Sequence, residues 1–275
     1  MNEVEKILGP LDNSPKMPVL FLGHGSPMNA IEENEFVQGF RTIAKEIPTP
    51  KAIICVSAHW ETNGTLVTAM ENPRTIHDFG GFPRELYEVQ YPAKGNPQLA
   101  SEVKNAVQTT SIELDNSWGL DHGSWSVVKH LYPNSEIPII QLSLNFNKTP
   151  QQHYELGKEL AVFRQKGILI VGSGNMVHNL GLVAWNKINR PEYGYDWAIE
   201  ANERMKLYMK NHDHESLINY KKLGTAFTNA IPSPDHYLPL LYSLALQGKK
   251  DQISIFNDKV IGGSLSMASI IIKEN

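Results

Sequence analysis

Short, continuously apolar runs recur along this chain, with segments of helical period between them. A strand with one wet face alternates apolar and polar residues, so unbroken runs read as strands covered on both faces. They fall at residues 18–23, 52–58, 64–70, 137–144, 167–172, 253–256 and 265–272. Asn96-Pro97 reads as an N-cap followed by proline in the first turn and predicts a helix to about Val107; Thr149-Pro150 repeats the device. The second helix places Leu156, Leu160 and Phe163 on one face and stops at Gly167. Further helices are expected over 195–210, with Trp197, Ala201, Met205 and Tyr208 roughly aligned, and from about Asp235, carrying Leu240, Leu241 and Leu244. Over 275 residues this alternation predicts one α/β domain, residues 1–275, with 1–16 as an N-terminal extension. Its centre is a mostly parallel or mixed sheet with helices on both faces.

Four histidines follow β-type apolar runs. His24 ends the first, His59 the second, His178 comes after the run that closes in Gly172-Ser173-Gly174, and His236 follows the turn Ile231-Pro232-Ser233-Pro234-Asp235. Strand ends in α/β sheets are where ligands collect, and imidazole is the commonest metal ligand, so four of them point to a divalent metal site. Each alone has a plainer reading: His24 as a turn residue between Gly23 and Gly25, His59 as a core histidine bonded to a carbonyl, Asp235 as a helix cap. His122, in Gly119-Leu120-Asp121-His122-Gly123-Ser124-Trp125, has no clear strand before it. A glycine-flanked histidine beside an aspartate suits substrate contact or proton transfer more than ligation, the alternative being an Asx-type turn. His130, His153, His212 and His214 lie on polar or helical stretches and are expected at the surface. The loop 72–95 holds His77, Phe79 and Phe82, and long ordered loops often carry function.

Composition excludes several classes. With 25 basic and 29 acidic residues there is no basic stripe for nucleic acid and no polybasic patch for a membrane surface. The first residues are acidic and lack an apolar signal core, and no run approaches the roughly 20 residues that cross a bilayer, so a soluble cytoplasmic protein is expected. The single cysteine, Cys55, lies in an apolar run and rules out intrachain disulfides and multi-cysteine zinc sites. Gly172-Ser173-Gly174-Asn175 lacks the third glycine of a dinucleotide fingerprint; neither a serine-nucleophile elbow nor His-Glu-x-x-His occurs.

Read together, Gly23-His24-Gly25-Ser26-Pro27, Ser57-Ala58-His59-Trp60, His77-Asp78-Phe79-Gly80-Gly81-Phe82-Pro83, Asp121-His122-Gly123-Ser124-Trp125, Gly174-Asn175-Met176-Val177-His178-Asn179 and Pro234-Asp235-His236-Tyr237-Leu238-Pro239-Leu240 stand in the order of a known family. The chain resembles the class III extradiol ring-cleavage dioxygenases of the LigB superfamily, in the 4,5-DOPA extradiol dioxygenase branch. The resemblance implies a non-haem metal, Fe(II) or possible Zn2+, at His24, His59 and His236, with His178 beside it as a fourth ligand or as acid/base. It implies a catechol and O2 as substrates, His122 against the substrate, and His77, Phe79 and Phe82 around an aromatic ring. Protocatechuate-cleaving relatives use two histidines and a glutamate; here a histidine motif replaces that carboxylate, and Asp235 is the nearby acid. A zinc hydrolase on the same ligands and a non-enzymatic Memo-type metal-binding scaffold are the competing functions. A monomer or small homo-oligomer is expected, without nucleic-acid or membrane partners. An all-histidine site should lose metal below about pH 6.

Overall fold

The computed structural model describes residues 15–188, 190 and 192–274. The expected extension, 1–16, lies outside the described residues except for Pro15 and Lys16. The strands are β1 (Val19–Gly23), β2 (Ala52–Thr62), β3 (Thr65–Thr68), β4 (Ile112–Asp115), β5 (Ile139–Asn145), β6 (Ile168–Gly174), β7 (Asp251–Phe256), β8 (Val260–Ile261), β9 (Leu265–Ser266) and β10 (Ser269–Glu274). The longer helices are α1 (Glu35–Ala44), α2 (Pro97–Ala106), α3 (His122–Leu131), α4 (Pro150–Glu159), α5 (Asp196–Lys210), α6 (Thr225–Ala230) and α7 (Leu238–Ala245).

Eight strands form one mixed sheet in the order β4-β3-β5-β2-β6-β1-β10-β7, and β8 pairs with β9 apart from it. β1, β6, β2 and β5 run parallel, while β10 and β7 close one side antiparallel. Period-two alternation splits each central strand between two cores. Val19, Phe21, Ile54, Val56, Ile168 and Ile170 face one layer with α2, α4, α5 and α7. Leu20, Leu22, Ile53, Cys55, Leu169 and Val171 face the other with α1 and α3. This is the expected two-sided α/β fold. Among the described residues, no helix is long and apolar enough to cross a membrane.

Three local expectations change. The run 265–272 is two strands, β9 and β10, and the interrupted pairing lets Ser269 Oγ accept from Gly23 N–H at 2.9 Å. β4 precedes His122 after all; a four-residue edge strand whose Glu113 and Leu114 are exposed gives no continuous apolar signal. The buried stripe of α5 is Ala198, Ala201, Met205 and Met209, leaving Trp197 and Tyr208 only partly buried.

Candidate metal centre

β2, β6 and β1 are adjacent and parallel, so their C-terminal ends share one edge of the sheet. His24 leaves β1 there, its N–H donating to Gly174 O at 3.0 Å. His178 follows β6 and donates its N–H to Ala230 O of α6 at 2.9 Å. His236 comes in from the turn before α7 and its carbonyl accepts from Asn175 N–H at 2.9 Å. A Cβ at position 174 would collide with that carbonyl, which is why glycine ends β6. His59 departs from expectation: it lies within β2, not past its end. β2 pairs with β6 only to Ser57, shifts register, and continues along β5 to Thr62, so His59 sits where the strand leaves the central ladder.

These placements bring all five candidate histidines together. His24 Nε2 and His59 Nε2 are 3.2 Å apart. Ring centroids are 3.8 Å apart for His59–His122, 4.9 Å for His59–His236 and 5.2 Å for His24–His236. His178 and His236 stack at 3.5 Å with planes 8° apart. Potential ligand atoms fall into two sets, His24/His59/His122 and His178/Asp235/His236, each within 4.8 Å.

The partners fix which nitrogen is bare. Ser173 Oγ donates to Gly123 O, so it accepts from His24 Nδ1–H at 3.0 Å and leaves His24 Nε2 unprotonated. The Asp235 carboxylate accepts from His236 Nδ1–H. Asp78 Oδ2 accepts from His122 Nδ1–H at 3.0 Å and lies 3.8 Å from His59 Nδ1. The Nε2 atoms of His24 and His59, 3.2 Å apart, span about the separation of neighbouring ligands on one ion with bonds of about 2.1 Å. The donor set therefore fits a divalent metal that takes imidazole nitrogen.

Burial and the neighbouring rings favour the neutral forms of His24, His59 and His178. Burial, then the imidazoles of His59, His236, His122 and His178, hold His24 well below the ordinary histidine value. Burial and the neighbouring rings, His122 first, do the same to His59. Burial and then His236 lower His178 to about 3, against the opposing pull of Asp235. Burial would raise Asp235, but the hydrogen bonds from His236 and Ser233 and the electrostatic pull of His236 and His178 together outweigh it, and the carboxyl falls to about 2. Burial likewise opposes the hydrogen bonds from His122 at Asp78, and the bonds win.

Asp121 caps α3, accepting from Ser124 N–H at 3.0 Å, and His122 is the first residue of that helix instead of a loop residue. The buried Asp121 carboxylate also accepts from Ser57 Oγ at 2.7 Å and Gln141 Nε2 at 2.6 Å. Ser57 Oγ in turn accepts from His59 N–H at 3.3 Å, so one carboxylate braces the segments of both His59 and His122. Asp235 serves His236 instead of capping α7, whose N-cap is Tyr237.

Of the loop residues, Phe79 meets His122 edge-on at 5.4 Å, and Phe82 packs on Phe79 at 5.4 Å. His77 donates from Nε2 to Val89 O at 2.9 Å and packs on Phe79 and Trp125. His130 and His153, expected at the surface, are buried. His130 donates to Asn29 O at 2.7 Å, and Asn29 Nδ2 donates to His24 O at 2.9 Å, which holds the turn after β1. His153 joins Tyr242 OH to Asn145 O inside the core. Sequence reading missed Ser173 and Asp78 as supports, although both stood inside motifs already singled out.

Residues 17–261 match the family model described as the catalytic LigB subunit of aromatic ring-opening dioxygenase. The chain is 44% identical to an Escherichia coli (strain K12) protein named 4,5-DOPA dioxygenase extradiol, over 94% of this chain and 96% of that one. It is 32% identical to the protein of the same name from Beta vulgaris, over 90% and 94%. A crystal structure of an uncharacterized E. coli K12 protein superposes with a TM-score of 0.81 at 40% identity, covering 94% of this chain and 100% of that one.

Proposed function

Because the chain belongs to the LigB family of aromatic ring-opening dioxygenases and is an extradiol ring-cleavage enzyme, we propose that it opens a catechol ring beside the diol, using O2 and a metal held in the five-histidine cleft. The catechol is DOPA-like, as the relatives' names suggest, or caffeate-like. The observation that carries the reading is the approach of the His24 and His59 Nε2 atoms to 3.2 Å, with the Asp235-backed His236 beside them.

We assign the metal to His24, His59 and His236. Fe(II) held there would lower the pKa of a chelated hydroxyl and supply the oxygen chemistry. His178 acts as acid/base. Its ring is parallel to that of His236, and in-plane lone pairs of two stacked rings do not converge on one ion, which favours one ligand and one proton carrier. In that role the His178 imidazole would take the second catechol proton and return it as the ring opens. His122 holds the substrate, Phe79 walls its ring, and Phe82 and His77 support Phe79.

The test is to reload metal-free protein with Fe(II) anaerobically and offer a catechol panel. Oxygen uptake with a yellow ring-opened product is expected. No uptake with any catechol, alongside hydrolytic turnover with Zn2+, would overturn the reading in favour of a hydrolase.

A further inference from the structure

We propose that Asp78 is a positioning residue that fixes the tautomer of His122, so that His122 Nε2 is a bare hydrogen-bond acceptor for the substrate hydroxyl. The substrate-facing half of this statement rests on the catechol reading above; the tautomer does not.

Asp78 grips His122 twice. Its Oδ1 accepts from the His122 main-chain N–H at 2.8 Å, and its Oδ2 accepts from Nδ1–H at 3.0 Å. The first bond satisfies an N–H at the start of α3 that has no partner within the helix. The second leaves the imidazole one choice, because an ionised carboxylate only accepts: the ring proton goes to Nδ1 and Nε2 is left bare. The His122 side chain is 7% exposed and that of Asp78 16%, so water competes little for either bond. Phe79, next in sequence, packs edge-on against the same ring and limits its rotation. The Oδ2 that orients His122 also lies 3.8 Å from His59 Nδ1, so a single carboxylate faces a proposed ligand and a proposed substrate contact.

The arrangement predicts an inversion. In Asp78→Asn, the amide has one oxygen and one NH2. The main-chain N–H of His122 can only donate, so it claims the oxygen. The NH2 then faces Nδ1 and forces that nitrogen to accept, moving the ring proton to Nε2. The residue that offered the substrate a lone pair then presents a proton, while the helix start keeps its partner.

The experiment is a long-range 1H–15N spectrum of full-length, histidine-labelled, zinc-loaded protein at alkaline pH. His122 is assigned by its absence in His122→Gln. The expected wild-type result is a His122 protonated at Nδ1 with an unmetallated, unprotonated Nε2; in Asp78→Asn the proton is on Nε2. The Fe(II)-loaded variant should keep its metal and lose roughly 10–100-fold in kcat/KM. A wild-type His122 with its proton on Nε2, or with Nε2 on the metal, overturns the proposal; so does an Asp78→Asn tautomer unchanged from wild type. Should the variant not fold, the wild-type spectrum alone decides. Absence of ring cleavage would overturn the functional reading and leave the tautomer result standing.

Discussion

Ser173 Oγ stands between His24 Nδ1 and Gly123 O, and its removal leaves the buried His24 Nδ1–H without its acceptor. Ser173→Ala should destabilise the fold by about 1–3 kcal/mol through that buried donor left unpaired. It should also weaken metal binding roughly 10–100-fold, read by competition with a chelator. Alanine at His24, His59 or His236 should abolish stoichiometric metal by elemental analysis, whereas His122→Ala should keep the metal and lose rate. Full metal in His236→Ala would remove it from the ligand set. The lowered histidines also set a pH dependence. Unfolded, these imidazoles take protons near 6.5; folded, His24 and His59 do so well below it and His178 only at about 3. Between those values the unfolded chain binds more protons, so stability is fully present above about 6.5 and falls as pH drops. Urea midpoints of metal-free protein at pH 7.5, 6 and 5 should decline in that order; a flat series would show that the cluster is not buried in neutral form. By the same shifts, protons compete with metal only at lower pH than the value near 6 expected for free imidazoles.

At the scale of elements, the site depends on how closely turns approach strand ends. Gly174→Ala would push Cβ into the His236 carbonyl, a backbone group with no freedom to yield. A loss of about 1–3 kcal/mol and of metal is expected, while Gly80→Ala, with open space around its Cβ, should match wild type. Asp121→Ala should cost more than an ordinary cap, about 3 kcal/mol, because Ser57 and Gln141 lose their acceptor along with α3. The sequence revealed β1, β2, β3, β5, β6, β7 and β10 by their apolar runs, the proline-capped α2 and α4 by their N-caps, and α5 and α7 by their helical period. β4 was hidden by its wet edge, and α3 because Asp121-x-x-Ser124 was read as a turn when it is a cap. Likewise His24 and His178 were visible because they follow strands and His59 because it ends an apolar run, while His236 stood out by its Pro-rich turn although helix α6 and not a strand precedes it; Asp78 and Ser173 work by contacts across 44 and 149 residues, which no local pattern encodes.

Over the whole molecule, a buried clamp joins the antiparallel side of the sheet to the rest. Arg164, 1% exposed, donates to Asp251 Oδ2 at 2.6 Å, to Met17 O at 2.7 Å and to Leu246 O at 2.7 Å. Arg164→Met leaves the buried Asp251 carboxylate with Lys16 and the Gly248 N–H and should lower unfolding free energy by about 3 kcal/mol in urea titration; Arg164→Met with Asp251→Leu should recover much of it. The fold class was legible because strand–helix alternation constrains it, but the clamp was not, since neither residue differs locally from a surface charge. The pairing of β1 with β10 has a consequence for biosynthesis. β1 is synthesised before Ser269–Glu274, the distant segment that supplies its outer partner. Until then its apolar edge has no neighbour, and an open apolar edge invites pairing with another chain. The nascent polypeptide is thus open to such pairing until β10 docks on β1, and dependence on a holdase chaperone should end at that point.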